Sequence, residues 1–113
     1  MKVIIKEKLD NWNNIISYNR TNKYIGASKK KKEMNIIKKY LLDIPKITEY
    51  PITIKCIWHC KNINQDLDNK SLKSVLDTMQ EVGILENDNI KHIKEINHIA
   101  VKDNIDMLEM EII

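Results

Sequence analysis

Apolar and polar residues alternate and cluster along the chain in two different periods, and the periods predict the elements. Residues 2–8 read as a strand, with Val3 and Ile5 on one face and Ile4 on the other. Asp10 is placed to cap a helix from about Asn11 to Tyr18, with Trp12, Ile15 and Ile16 on one face. The polar stretch Asn19–Ala27 predicts a loop. Ser28 then caps a second helix, which opens on Lys29, Lys30, Lys31 and Lys32 and continues through Met34, Ile36, Ile37, Tyr40 and Leu41. Pro45 and Pro51 bracket a connection. Ile52, Ile54, Cys56, Trp58 and Cys60 alternate with Thr53, Lys55, Ile57 and His59, the pattern of a strand with one buried face. Leu72, Val75, Leu76 and Met79 recur at the spacing of one helical face, and Gly83 stops that helix as its left-handed residue. Residues 92–101 and 105–113 predict two further strands, the second with Leu108, Met110 and Ile112 alternating with Glu109 and Glu111. With no repeat or linker, residues 1–113 form a single α/β (α+β) domain, a small mixed sheet packed against two or three helices.

Length and charge sharpen this picture. The 113 residues suit one core, and 42% hydrophobic with 31% charged residues suits a globular, well-solvated chain. No apolar run approaches the ~20 residues that span a bilayer, and the apolar stretch in residues 1–8 is too short for a signal peptide. The expectation is a cytoplasmic protein without membrane partners. Cys56 and Cys60 fall on one strand face roughly 13 Å apart, beyond disulfide reach, as buried free thiols. Adjacent strand residues point oppositely, so His59 does not join them in a soft-metal site. The net charge of +3 is unevenly divided: residues 1–61 carry 14 Lys+Arg against 5 Asp+Glu, and residues 62–113 carry 5 against 11. A basic half can track a phosphate backbone while an acidic half binds a divalent cation; ordinary solvated charge is the alternative. Four lysines in a first helical turn oppose the helix dipole, which points either to an anionic partner or to a solvated helix end.

The chemistry concentrates in residues 64–89. Asp66 and Asp68 lie between a strand and a helix, and in an extended segment that spacing sends both carboxylates the same way. Two like charges so placed are best satisfied by a cation between them, and oxygen-only ligands suit Mg²⁺ or Mn²⁺ rather than zinc. A calcium loop from Asp66 to Asp77 fits poorly, because Lys70 and Ser71 stand at its fifth and sixth positions. Residues 84–88 are long enough to begin an antiparallel return of Asp88 towards this helix's start, but not to complete it.

Asp66-Leu67-Asp68-Asn69, Lys73, Leu76-Asp77 and Gly83-Ile84-Leu85-Glu86-Asn87-Asp88 together resemble the RusA family of Holliday-junction resolvases and phage endonucleases. The likeness is strongest over residues 51–92 and weaker to the final strand. It implies a RusA-like fold and a homodimer that resolves four-way DNA junctions in recombination and repair by paired symmetric nicking. It implies catalytic Mg²⁺ (with Mn²⁺ able to substitute) on Asp66, Asp68 and Asp88, a required helix lysine, and no small-molecule cofactor. In the best-known members that lysine falls four residues after the second aspartate, where this chain has Leu72; counting back from Leu76-Asp77 selects Lys73, with Lys70 as the alternative. The N-terminal half departs further and looks like a phage or prophage branch. DNA contacts are expected from Arg20, Lys23, Lys29, Lys30, Lys31, Lys32 and Lys70.

Blander roles compete at several positions. Asp68 or Asn69 can cap the helix, and Asp77 can stabilise it or orient a nearby base. His92 and His98 read as structural or exposed, Trp12 and Trp58 as core, and Asn11, Asn13 and Asn14 as capping or surface residues. The alternative to the nuclease is a catalytically weak or inactive branched-DNA-binding protein of the same fold.

Overall fold

Strict alternation makes β2 (Ile52–Cys60) the centre of the sheet. In this computed structural model, which describes residues Met1–Ile113, Ile52, Ile54, Cys56, Trp58 and Cys60 are buried and the residues between them only half-buried. Successive side chains on a pleated strand leave on opposite faces, so one face of β2 builds the core. β4 (Met107–Ile112) pairs with β2 antiparallel, β1 (Lys2–Ile5) pairs with β4 antiparallel, and β3 (Ile93–Lys102) pairs with β2 parallel. The four strands lie in the order β1-β4-β2-β3. Their registers align Val3, Met110, Cys56 and His98 in one row and Ile5, Leu108, Trp58 and Ala100 in the next. The expected mixed sheet in an α+β domain is therefore present. Both cysteines are free and buried, as the strand period predicts.

A parallel pair needs a crossover, and α3 (Lys73–Glu81) supplies it between β2 and β3. Its apolar stripe, Val75, Leu76 and Met79, is buried against the sheet's core face. Each such residue contributes about 1.5–3 kcal/mol by leaving water. Gly83 has φ 81°, the left-handed region that penalises a Cβ. Beyond it the Ile84 and Leu85 N–H groups donate to the Met79 carbonyl at 2.9 and 3.1 Å, satisfying an acceptor at the helix end.

The N-terminal helices differ from the sequence expectation. α1 spans Trp12–Thr21 and is capped by Asn11, whose Oδ1 accepts the Asn14 N–H at 2.9 Å, rather than by Asp10. The polar stretch read as a loop holds only a one-residue break. Asn22 donates its N–H to the Tyr18 carbonyl, closing α1, and its Oδ1 accepts the Tyr24 N–H at 2.7 Å, opening α2 (Lys23–Lys38). One asparagine with extended backbone serves both ends. Ser28 is consequently inside a helix, and Lys29–Lys32 occupy its middle turns, so the cost against the helix dipole does not arise. Gly26 is buried where the helices meet; a Cβ there would come within 2.0 Å of Asn19 Oδ1 and 3.4 Å of its Cα. α1 buries no residue, and Trp12, expected in the core, is 41% exposed. β1 is also shorter than predicted: its ladder with β4 ends at Ile5 opposite Leu108, and β4 has only Met107 beyond that pair. No helix is long and apolar enough to cross a membrane.

Candidate metal and nucleic-acid site

The chain leaves the carboxyl end of β2 at Cys60 and reaches α3 through the acidic loop. That loop is not extended across both aspartates. Leu67–Asn69 form a single 3-10 turn, closed by Asn69 N–H to the Asp66 carbonyl at 3.2 Å and Lys70 N–H to the Leu67 carbonyl at 3.1 Å. Asp66 precedes the turn with extended backbone and no side-chain capping bond, and Asp68 lies within it; both are exposed. Asn69 Oδ1 accepts the Asn13 N–H at 3.0 Å, which pins the turn to the start of α1. Lys70 donates to Gln65 Oε1 at 2.7 Å and lies over the Trp58 ring, 5.5 Å from its centroid.

Asp88 completes the return that its distance along the chain left open. It lines a groove of about 220 Å³ together with Lys70, Lys73 and His98, between the start of α3 and β3. Leu72, Leu76 and Ile96 supply the groove's apolar wall, and Trp12 stands at its edge. A second hollow of about 200 Å³ continues along β3 past Ala100 and Lys102, bordered by Gln65 and Leu67 on either side of Asp66. Lys70 borders both hollows, which together form a channel along β3; Asp88 lines it, and the Asp66–Asp68 turn meets it only through Gln65 and Leu67. No three His, Cys, Asp or Glu side chains are grouped to hold a metal ion among themselves. Asp66, Asp68 and Asp88 are thus not a closed three-carboxylate centre in this conformation. The donor chemistry fits a hard cation nonetheless: Mg²⁺ commonly takes one or two carboxylates and fills its octahedron with water and substrate phosphate.

The other acidic groups near the channel are already engaged. Asp77 pairs with Lys30 at 2.5 Å and with Lys73 at 3.3 Å. Partial burial alone would raise its pKa, but the hydrogen bond and charge of Lys30, with Lys73 behind it, hold the carboxyl below its usual range. Asp77 thereby fixes Lys73 at the first turn of α3 and ties α2 to α3, the stabilising and orienting role the sequence suggests. Lys30 is spent on this pair, and Lys29 lies over the Tyr18 ring at 4.8 Å. Lys31 and Lys32 are exposed on α2, Arg20 on the last turn of α1, and Lys23 beside Tyr24 at the helix break.

Sequence reasoning missed three arrangements. His98 Nδ1 receives the Trp58 indole N–H at 2.9 Å, with the two ring planes 19° apart. Glu33 and Asp10 face each other beside Lys29 and Lys30, and burial, then the hydrogen bond and charge of Asp10, push the Glu33 carboxyl up to about 7. On the open face of the sheet, His59 bridges Asp103 through Nδ1 and Glu109 through Nε2, each at 2.7 Å. The Asn104 N–H, then His59, hold Asp103 below its usual range. None had a local signal, since each depends on strand register or helix packing. No family model and no curated protein matches this chain.

Proposed function

We propose that the chain is a divalent-metal-dependent endodeoxyribonuclease of the RusA type, cutting four-way DNA junctions as a homodimer. The supporting observation is the state of its carboxylates. Asp88 lines the groove that carries Lys70 and Lys73, the Asp66–Asp68 turn adjoins the hollow that shares Lys70, and none of the three aspartates is in an ion pair. Three acidic groups without a cationic partner, next to two lysines, suit a phosphodiester neutralised by a cation more than an ordinary solvated loop.

In this reading Asp66, Asp68 and Asp88 would hold Mg²⁺ or Mn²⁺, which when bound would activate water and neutralise charge building on the phosphate. Lys73, steadied by Asp77, contacts a non-bridging oxygen of the scissile phosphate, and Lys70 holds the neighbouring stretch of backbone. Exposed Lys31, Lys32, Arg20 and Lys23 track the flanking duplex. A two-fold dimer places two such channels on opposed strands of a two-fold junction.

The test is incubation of the protein with a four-way junction and a matched duplex, with Mg²⁺ or with EDTA. Paired symmetric nicks in the junction, lost in EDTA and reduced at least about a hundredfold in Asp68→Asn with binding retained, are the expected result. Equal cleavage of duplex would sink junction selectivity. Tight metal-independent binding with no cleavage would establish the branched-DNA-binding alternative.

A further inference from the structure

His98 stands on β3 in register with Cys56, so its side chain leaves on the core face of the sheet, at the one strand where that face is open to solvent. Its ring rests against Trp58, and this partial burial lowers its pKa, favouring the neutral ring. The indole nitrogen is a donor only. The ring nitrogen that receives it must therefore offer a lone pair, and a neutral imidazole then carries its single proton on the other nitrogen. Trp58 thus fixes His98 as the Nε2–H tautomer. That Nε2–H has no partner within the chain, and the residue lines the channel with Lys70, Lys73 and the carboxylate of Asp88. Lys70 lies over the same Trp58 ring, so one buried indole positions both groups.

We propose that His98 is a DNA-contacting residue whose Nε2–H donates to a phosphate oxygen of the strand lying in the channel between Lys70 and Lys73. This rests on the nucleic-acid reading of the channel above and adds a contact to it. Asp88 is the one anion of the groove, and on the proposed reading it faces the cation; the two ammonium groups and a neutral ring that can only donate from its free nitrogen select a ligand rich in acceptor oxygens. The apolar wall of Leu72 and Ile96 suits the sugar beside such a phosphate. His98 acts here by position and not by proton transfer, because a neutral imidazole is a hydrogen-bond donor and a very weak acid.

Two isosteres separate the two nitrogens. His98→Asn puts an acceptor where Nδ1 meets Trp58 but has no group at Nε2; His98→Gln reaches the Nε2 position with a donor. Affinity for a four-way junction in Ca²⁺ should fall about tenfold in His98→Asn, the loss typical of one hydrogen bond to a charged group. It should be largely restored in His98→Gln. Thermal stability should follow the opposite order, with Asn closer to the parent. In ¹⁵N spectra of the parent protein, Nε2 should carry the proton and its resonance should move when the junction is added. An unmoved Nε2 resonance at saturation, or parental affinity in His98→Asn, overturns the contact even if the protein cleaves junctions. Loss of cleavage in every preparation, with the Nε2 shift intact, would leave the contact standing and reject the nuclease. Failure to bind the junction would reject both.

Discussion

Glu33 and Asp10 are two carboxyl groups sharing a half-buried corner between α1 and α2, and the energetic consequence falls on Glu33. Its pKa of about 7 stands above the ordinary 4.5 because burial, and next Asp10, disfavour the charged form. The folded protein therefore holds this proton more tightly than the unfolded chain does. Stability from that proton is fully present below about 4.5, declines as pH rises, and is gone above about 7. Glu33→Gln keeps the shape and removes the charge. It should match the parent near pH 4 and be more stable at pH 8 by on the order of 1 kcal/mol, after allowing for solvent screening. Thermal melts across that range check this, and parallel curves would mean that water reaches the carboxylate freely. Its neighbours carry the opposite sign: Lys30 and Lys73 keep Asp77 ionised. Two acids on one side of α2 and α3 are thus tuned apart by whether a lysine or a carboxylate faces them.

At the scale of elements, the Lys30–Asp77 pair spans α2 and α3, whose contact carries the basic helix to the acidic loop. A carboxyl with a depressed pKa contributes stability above its unfolded value, near 3.8, and loses it as pH falls through the folded value. Asp77→Asn should cost about 1 kcal/mol at pH 7 and less near pH 2, measured by urea denaturation at both. A constant difference at both pH values would assign the effect to packing. The same elements show what the sequence discloses. β2 and α3 are legible because a strict period is repeated over their whole length, and Gly83 because only a left-handed stop needs it. The break between α1 and α2 is hidden because Asn22 caps both, leaving no run of turn-forming residues to mark it. The Asp66–Asp68 segment was misread because D-x-D spacing converges only in extended backbone, and Asn69 and Lys70 fold back on it. His98 was unreadable for another reason: its partner Trp58 comes from the parallel register of β2 with β3, a pairing set by the crossover and not by adjacent residues.

The whole molecule separates its charge: basic residues on the N-terminal helices, acidic ones on the loop and the later strands. The structure divides the four consecutive lysines further. Lys30 is committed to Asp77 and Lys29 lies against Tyr18, which leaves Lys31 and Lys32 free to meet a polyanion. Each lysine that contacts a phosphate releases about 0.9 of a counterion from duplex DNA. If the basic helix carries the duplex arms, Lys31→Ala with Lys32→Ala should lower the slope of log affinity against log salt by up to about 1.8. Lys30→Ala should leave that slope nearly unchanged and act on stability instead. Binding titrations at several salt concentrations distinguish these, and an equal change in slope for Lys30→Ala would show that its pair with Asp77 opens on DNA. The acidic channel pushes the other way, since Asp66, Asp68 and Asp88 repel phosphate until a cation intervenes. Affinity should therefore rise with Ca²⁺ in the parent and become nearly independent of it when Asp66 and Asp68 are both changed to Asn. On the proposed reading, a protein divided in this way would hold DNA by its helices with or without metal and admit a strand to the channel only when the cation is bound.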